Sequence, residues 1–156
     1  MNSAHWHLLL NHFPILGTYF STLLLIVGIM LKSQTVKNTA LGFFILTSLL
    51  AIPVLLTGEG AEDILDSIGL KNEYFISQHE RLAQIAFWLS VSIGVFSIGA
   101  LIGQRTINKT RIFTFIILTA GLLNSVLMTA AGIAGGEIRH TEIRTTNSSQ
   151  TESDDK

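Results

Sequence analysis

The sequence predicts an all-α integral membrane protein, a four-helix bundle in one domain. Three observations predict it. The chain of 156 residues is 48% hydrophobic and 13% charged, about half the charged share of an average soluble domain. Its mean hydropathy is +0.49. Four stretches, at about 8–31, 39–57, 78–102 and 112–133, each reach the roughly 20 apolar residues that a helix needs to cross a bilayer. The lipid bilayer is therefore the first partner. The absence of cysteine excludes disulfides, iron–sulfur ligation, thiolate zinc sites, covalent c-type haem attachment and a cysteine nucleophile. A net charge of -1 gives no basic surface for a nucleic acid.

The first span opens in HLLLNHFPILG, where Pro14 marks a start for the helix. No basic segment precedes this span and no small-residue cleavage site follows it, so it reads as a retained helix. The second span ends in PVLLTGEGAED. Pro53 deprives the Leu49 carbonyl of its helical donor, which predicts a kink. Next, Glu59, Glu62, Asp63 and Asp66 repeat at helical spacing, offset from Ala61, Ile64, Leu65 and Ile68. This pattern predicts a separate amphipathic helix at the membrane surface, ended by Gly69.

The third span opens in ISQHERLAQIAF and the fourth ends in AAGIAGGEIRHTEIR. The small residues Ala130, Ala131, Gly132, Ala134, Gly135 and Gly136 permit close helix contact, as do Gly94, Gly99 and Gly103. Asn124, Ser125 and Thr129 are placed to hydrogen-bond between helices. Residues 1–144 form the membrane domain, and 145–156 read as a disordered polar tail.

Four spans put both termini on one side, together with the 58–77 connection. The two short loops opposite carry Lys32, Lys37, Arg105, Lys109 and Arg111 and no acidic residue. The positive-inside rule makes that side cytoplasmic. The termini, the acidic residues and all five histidines then face outward, into the periplasm of a bacterial inner membrane.

His5, His7 and His12 begin the first span, His79 begins the third, and His140 follows the fourth. Three helices thus bring histidine to one membrane face. Imidazole is the commonest metal ligand, and ionisable groups at membrane depth are functional by default. Residues seven apart share a helix face, which pairs His5 with His12 and points His7 elsewhere. His12 and His79 lie deepest and are the first candidates for haem ligands, with His140 and His7 as substitutes. Alternatively, His12, Glu59, His79 and His140 bind an iron, copper or zinc ion. A third reading makes the histidines interfacial, bonded to Glu80 or to backbone, in a structural subunit or assembly factor of a larger complex. Arg139 and Arg144 are candidate partners of haem propionates.

No nucleotide-binding or zinc-protease motif is present, and no Ser/His/Asp set is evident, so enzymatic activity is left open. Charged residues are missing from every span centre, which disfavours a pump or ion-coupled carrier.

These segments resemble a group of small bacterial four-helix membrane proteins known as a domain of unknown function (the DUF2231-like group). The likeness rests on His7, His12, Phe13 and Pro14, on His79, and on Gly135, Gly136 and His140, and it covers roughly residues 5–143. Relatives in that group are found joined to, or beside, c-type cytochrome modules, which implies a redox setting by association. The resemblance favours haem b over a bare metal. The expected function is a b-type cytochrome-like protein passing electrons at the periplasmic face. One haem near one face does not carry electrons across the bilayer, so a quinone or a periplasmic cytochrome is the expected partner.

Overall fold

The computed structural model describes residues 2–67, 69, 72–103 and 110–144. The polar tail at 145–156, the basic residues Arg105 and Lys109, and Ile68 lie outside the described residues. Five α-helices follow one another: α1 (Ser3–Leu10), α2 (His12–Met30), α3 (Gln34–Ser67), α4 (Glu73–Gly103) and α5 (Thr110–Arg139), with a short 3-10 turn at Thr141–Ile143. Among the described residues there is no strand. α1 and α2 together form one span, Ser3–Met30, and α3, α4 and most of α5 supply three more helices long and apolar enough to cross a membrane.

The first helix starts well before Pro14. Asn2 caps it, accepting the His5 backbone N–H at 3.1 Å. Pro14 has no N–H, so the Leu10 carbonyl lacks its helical donor. This interrupts the hydrogen-bond ladder at Asn11, although Asn11 keeps helical dihedrals. α1 and α2 are thus two lengths of one rod. At its far end α2 closes in a Schellman turn: Ser33 N–H donates to Gly28 O at 3.0 Å and Lys32 N–H to Ile29 O at 3.1 Å. Lys32 takes the left-handed position at φ 51°, where glycine is the usual choice.

α3 changes the reading of the 58–77 connection. Its 34 residues run unbroken through Pro53 to Ser67, a length of about 50 Å against a hydrocarbon core of about 30 Å. The acidic stretch at Glu59–Asp66 is therefore the end of the second spanning helix and not a separate element. Helix-favouring residues on both sides of Gly58 and Gly60 carry the helix past the glycines, and α1 packs alongside this extension.

The helices form a ring in which α2 touches α3, α3 touches α4, α4 touches α5, and α5 returns to α2. Sequential neighbours are antiparallel, the up-and-down arrangement of a four-helix bundle. The interior is small and polar where a soluble bundle would be large and apolar. Thr18, Ser21, Thr22, Thr47, Ser48, Ser90, Ser97, Asn124 and Ser125 are buried, while Leu23, Leu56, Val95, Ile102 and Val126 are exposed. Lipid accommodates the large side chains, so close helix contact depends on small ones. Most buried hydroxyls turn back on their own helix, as in Thr18 Oγ1 to Pro14 O at 2.7 Å and Ser125 Oγ to Gly121 O at 2.8 Å. Asn124 Nδ2 instead crosses to Ser90 Oγ at 2.8 Å. Tyr19 Oη crosses to Ser125 O at 3.1 Å and to the Thr129 hydroxyl. A compact apolar cluster of Leu25, Leu41, Phe44, Ile93 and Ile117 fills the half of the bundle nearer Lys32.

Candidate functional site

At the opposite end, two histidines from different helices meet. His7 on α1 and His79 on α4 stand edge to face, with ring centroids 6.3 Å apart and planes at 87°. Both rings are half-buried. His7 Nδ1 lies 3.1 Å from Val54 O and 3.3 Å from Thr57 Oγ1. The Thr57 hydroxyl itself donates into the turn of α3 above Pro53, to Pro53 O at 2.9 Å or Val54 O at 3.0 Å. His79 Nδ1 lies 2.8 Å from Ala131 O on α5.

A carbonyl oxygen only accepts, so both Nδ1 atoms must carry the proton. In the neutral form of each ring this selects one tautomer, with the lone pair on Nε2. This is how ligand imidazoles are oriented: one nitrogen donates to a carbonyl and the other keeps its lone pair for a metal. The centroid separation of 6.3 Å lies in the range of a plain edge-to-face ring contact. The matched tautomers, contributed by carbonyls of two other helices, are what distinguish this pair.

Glycine makes the His79 position possible. A Cβ at Gly135 would lie 3.0 Å from His79 Nδ1 and 3.1 Å from its Cε1. The ring therefore packs directly on the α5 backbone, one turn beyond the carbonyl it bonds. Gly58 stands beside the His7 ring at an ordinary 3.8 Å from Cε1.

The other candidates lie apart from this pair. His12 is exposed on α2 and its Nδ1 turns back to Leu8 O at 2.8 Å. His12 and His79 are thus not the facing pair; His7 takes that place. The reason is rotational. The buried positions Pro14, Thr18, Ser21, Leu25 and Gly28 of α2 extend backward at alternating steps of four and three onto Asn11 and His7, leaving His12 one residue off the stripe. His140 is exposed and pairs locally with Glu142 Oε1 at 2.8 Å. Glu142 keeps its carboxyl below the ordinary value, first through its own backbone N–H and then through the His140 bond. His5 bonds Asn2 Oδ1 at 2.7 Å and is exposed.

Glu59 is exposed on the α3 extension. No three histidine or carboxylate groups converge to hold a metal ion among the described residues. The set His12, Glu59, His79 and His140 is therefore not assembled. Glu80 is exposed too, and His79 bonds the α5 backbone instead. Arg144 is engaged in capping α5: it donates from Nε to Glu137 O at 3.0 Å, and its guanidinium lies 4.3 Å from the Phe75 ring centroid. Arg139 is exposed.

No family model, curated protein or solved structure matches the chain.

Proposed function

We propose that this chain is a small b-type cytochrome-like membrane protein in which His7 and His79 hold one haem between them. The single observation that carries the reading is the facing pair, 6.3 Å apart between centroids, with both Nδ1 atoms bonded to helix carbonyls. His7 and His79 would hold the haem, which when bound would supply a one-electron redox centre tuned by the hydrogen bonds and burial of these two side chains. The chain's own part is to fix the ligands. Val54 O and Ala131 O hold the two rings in the ligating tautomer and strengthen Nε2 as a donor of electrons to a metal. Gly135 admits the His79 ring against α5. Arg139 supplies a cation for a propionate.

The orientation belongs to the same proposal. Lys32, Lys37 and Arg111 stand at the end opposite the histidines, and the positive-inside rule makes that end cytoplasmic. The histidine pair then faces the periplasm of a bacterial inner membrane, where a quinone or a periplasmic cytochrome exchanges electrons with it. The likeness to the DUF2231-like group supports a redox setting of this kind. The bare-metal reading has no converging third ligand among the described residues and is not carried further.

The test is the absorption spectrum of the full chain, purified in detergent after expression with haem available. His7→Ala and His79→Ala each lose the Soret band and keep the helical circular dichroism of the wild type. His12→Ala keeps both. A Soret band that survives in both ligand variants overturns the assignment.

A further inference from the structure

α4 has two unlike faces. Ala86, Ser90, Ile93 and Ser97 are buried toward the bundle. Gln84, Trp88, Ser92, Val95, Gly99 and Ile102 lie on the opposite side and are exposed. Their depth follows from one interhelical bond. The apolar run of α5 is bounded by Arg111 and Glu137, and Asn124 lies midway between them. Its bond to Ser90, at 2.8 Å, marks the same level on α4. Gln84 lies six residues from Ser90, about 9 Å along the axis, and Trp88 two residues, about 3 Å. Both are inside a hydrocarbon core whose half-thickness is about 15 Å.

An outward-facing amide at that depth needs a partner. Lipid tails offer neither donor nor acceptor, and the Gln84 side chain has no partner among the described residues. The exposed hydroxyls differ: Ser92 Oγ donates to Trp88 O at 2.9 Å and Thr119 Oγ1 to Phe115 O at 3.0 Å, each within its own helix. Tryptophan is enriched at the membrane–water boundary, whereas Trp88 is 64% exposed near mid-depth. Along the same face the large Trp88, Val95 and Ile102 alternate with the small Ser92 and Gly99 in steps of four and three. That is the 3.5-residue period of a left-handed helix pair, and small residues let two backbones close. A Cβ at Gly99 would have nothing within 4 Å, so packing inside the chain does not call for a glycine there.

We infer that this face of α4 pairs with the same face of a second copy of the chain. All copies insert the same way, so the two-fold axis runs along the membrane normal and each residue meets its own counterpart at its own depth. A carboxylate or an ammonium would repel its counterpart there. An amide carries donor and acceptor together, so two Gln84 side chains satisfy each other reciprocally, Nε2–H to Oε1. No charged residue lies between Gln84 and Ile102. An acyl chain covers the same face and leaves the amide unpaired. The pairing is independent of what His79 binds, because His79 lies on the opposite side of α4.

The test uses single cysteines in a chain that has none. Ser92→Cys and, as a control, Leu23→Cys at an exposed position of α2 are oxidised with copper phenanthroline in native membranes. The expected result is a species of twice the chain mass from Ser92→Cys and none from Leu23→Cys. The strength of pairing is read by energy transfer between donor- and acceptor-labelled full chains diluted in lipid vesicles. Gln84→Leu weakens it about tenfold, the loss of about one hydrogen bond between membrane helices. Gly99→Leu weakens it further by holding the backbones apart. Gly42→Leu, on α3 and equally free of neighbours, leaves it unchanged. Each variant keeps the helical circular dichroism of the wild type.

Crosslinking of Ser92→Cys no faster than of Leu23→Cys overturns the proposal. A crosslinked product of any other mass overturns it too and gives the face to a different protein. So does energy transfer that is absent, or that Gln84→Leu and Gly99→Leu leave as strong as in the wild type.

Discussion

His79 reaches the Ala131 carbonyl because position 135 carries no side chain. Filling that position pushes the ring by a few tenths of an ångström or forces α4 and α5 apart, and overpacking of this kind costs about 1–3 kcal/mol. Gly135→Ala is expected to lower unfolding stability in detergent by that amount and to weaken or shift the Soret band. Gly132→Ala, whose Cβ would have nothing within 4 Å, leaves the spectrum unchanged. Equal effects from the two substitutions contradict the role given to Gly135. At this scale the sequence shows which residues are candidates but not which two face each other. The expected pair, His12 with His79, misses by one residue on α2. The information was present in the small and polar stripe: stepping back from Leu25 through Ser21, Thr18 and Pro14 lands on His7. Stepping back from Ala100 through Ser97, Ile93, Ser90 and Ala86 on α4 lands on His79. The seven-residue step from His5 to His12 runs along an exposed face of that rod.

Among the elements, the spans were legible because about 20 apolar residues in a row have few other uses. Their ends were not. Hydropathy falls where polar residues begin, but a helix continues into water as long as its backbone bonds are made. α3 runs past Glu59 to Ser67 and α1 begins at Ser3 for that reason. The α4–α5 contact holds the clearest interhelical bond, Asn124 to Ser90. A polar bond between membrane helices contributes on average about 0.6 kcal/mol. A double-mutant cycle of Asn124→Ala and Ser90→Ala, measured by reversible unfolding in mixed micelles, should return a coupling near that value. Additive effects of the two changes would show that the bond is not formed.

For the whole molecule, the distribution of side chains is turned around relative to a soluble bundle: hydroxyls inside and large apolar groups outside. This follows from the solvent; composition points to the membrane, while the hydroxyl-lined interior is read from the structure. The proposed disposition across the membrane rests on charge. The chain has no cysteine, so single introduced thiols report on it without background. Ser33→Cys is expected to resist a membrane-impermeant maleimide in intact cells, and Glu142→Cys to react with it. The reverse pattern puts the histidine pair in the cytoplasm and removes a periplasmic cytochrome as partner.

The central claim is that His7 and His79 are ligands and not merely two histidines satisfied by carbonyls. It is tested most directly by the optical spectrum of the wild-type chain, first oxidised and then reduced with dithionite, with iron analysis on the same sample. A Soret band that sharpens on reduction, with resolved α and β bands and one iron per chain, is the predicted result. A colourless protein without stoichiometric iron, purified from cells supplied with haem, contradicts the account and leaves a structural subunit whose two facing histidines serve the packing of α1 and α4.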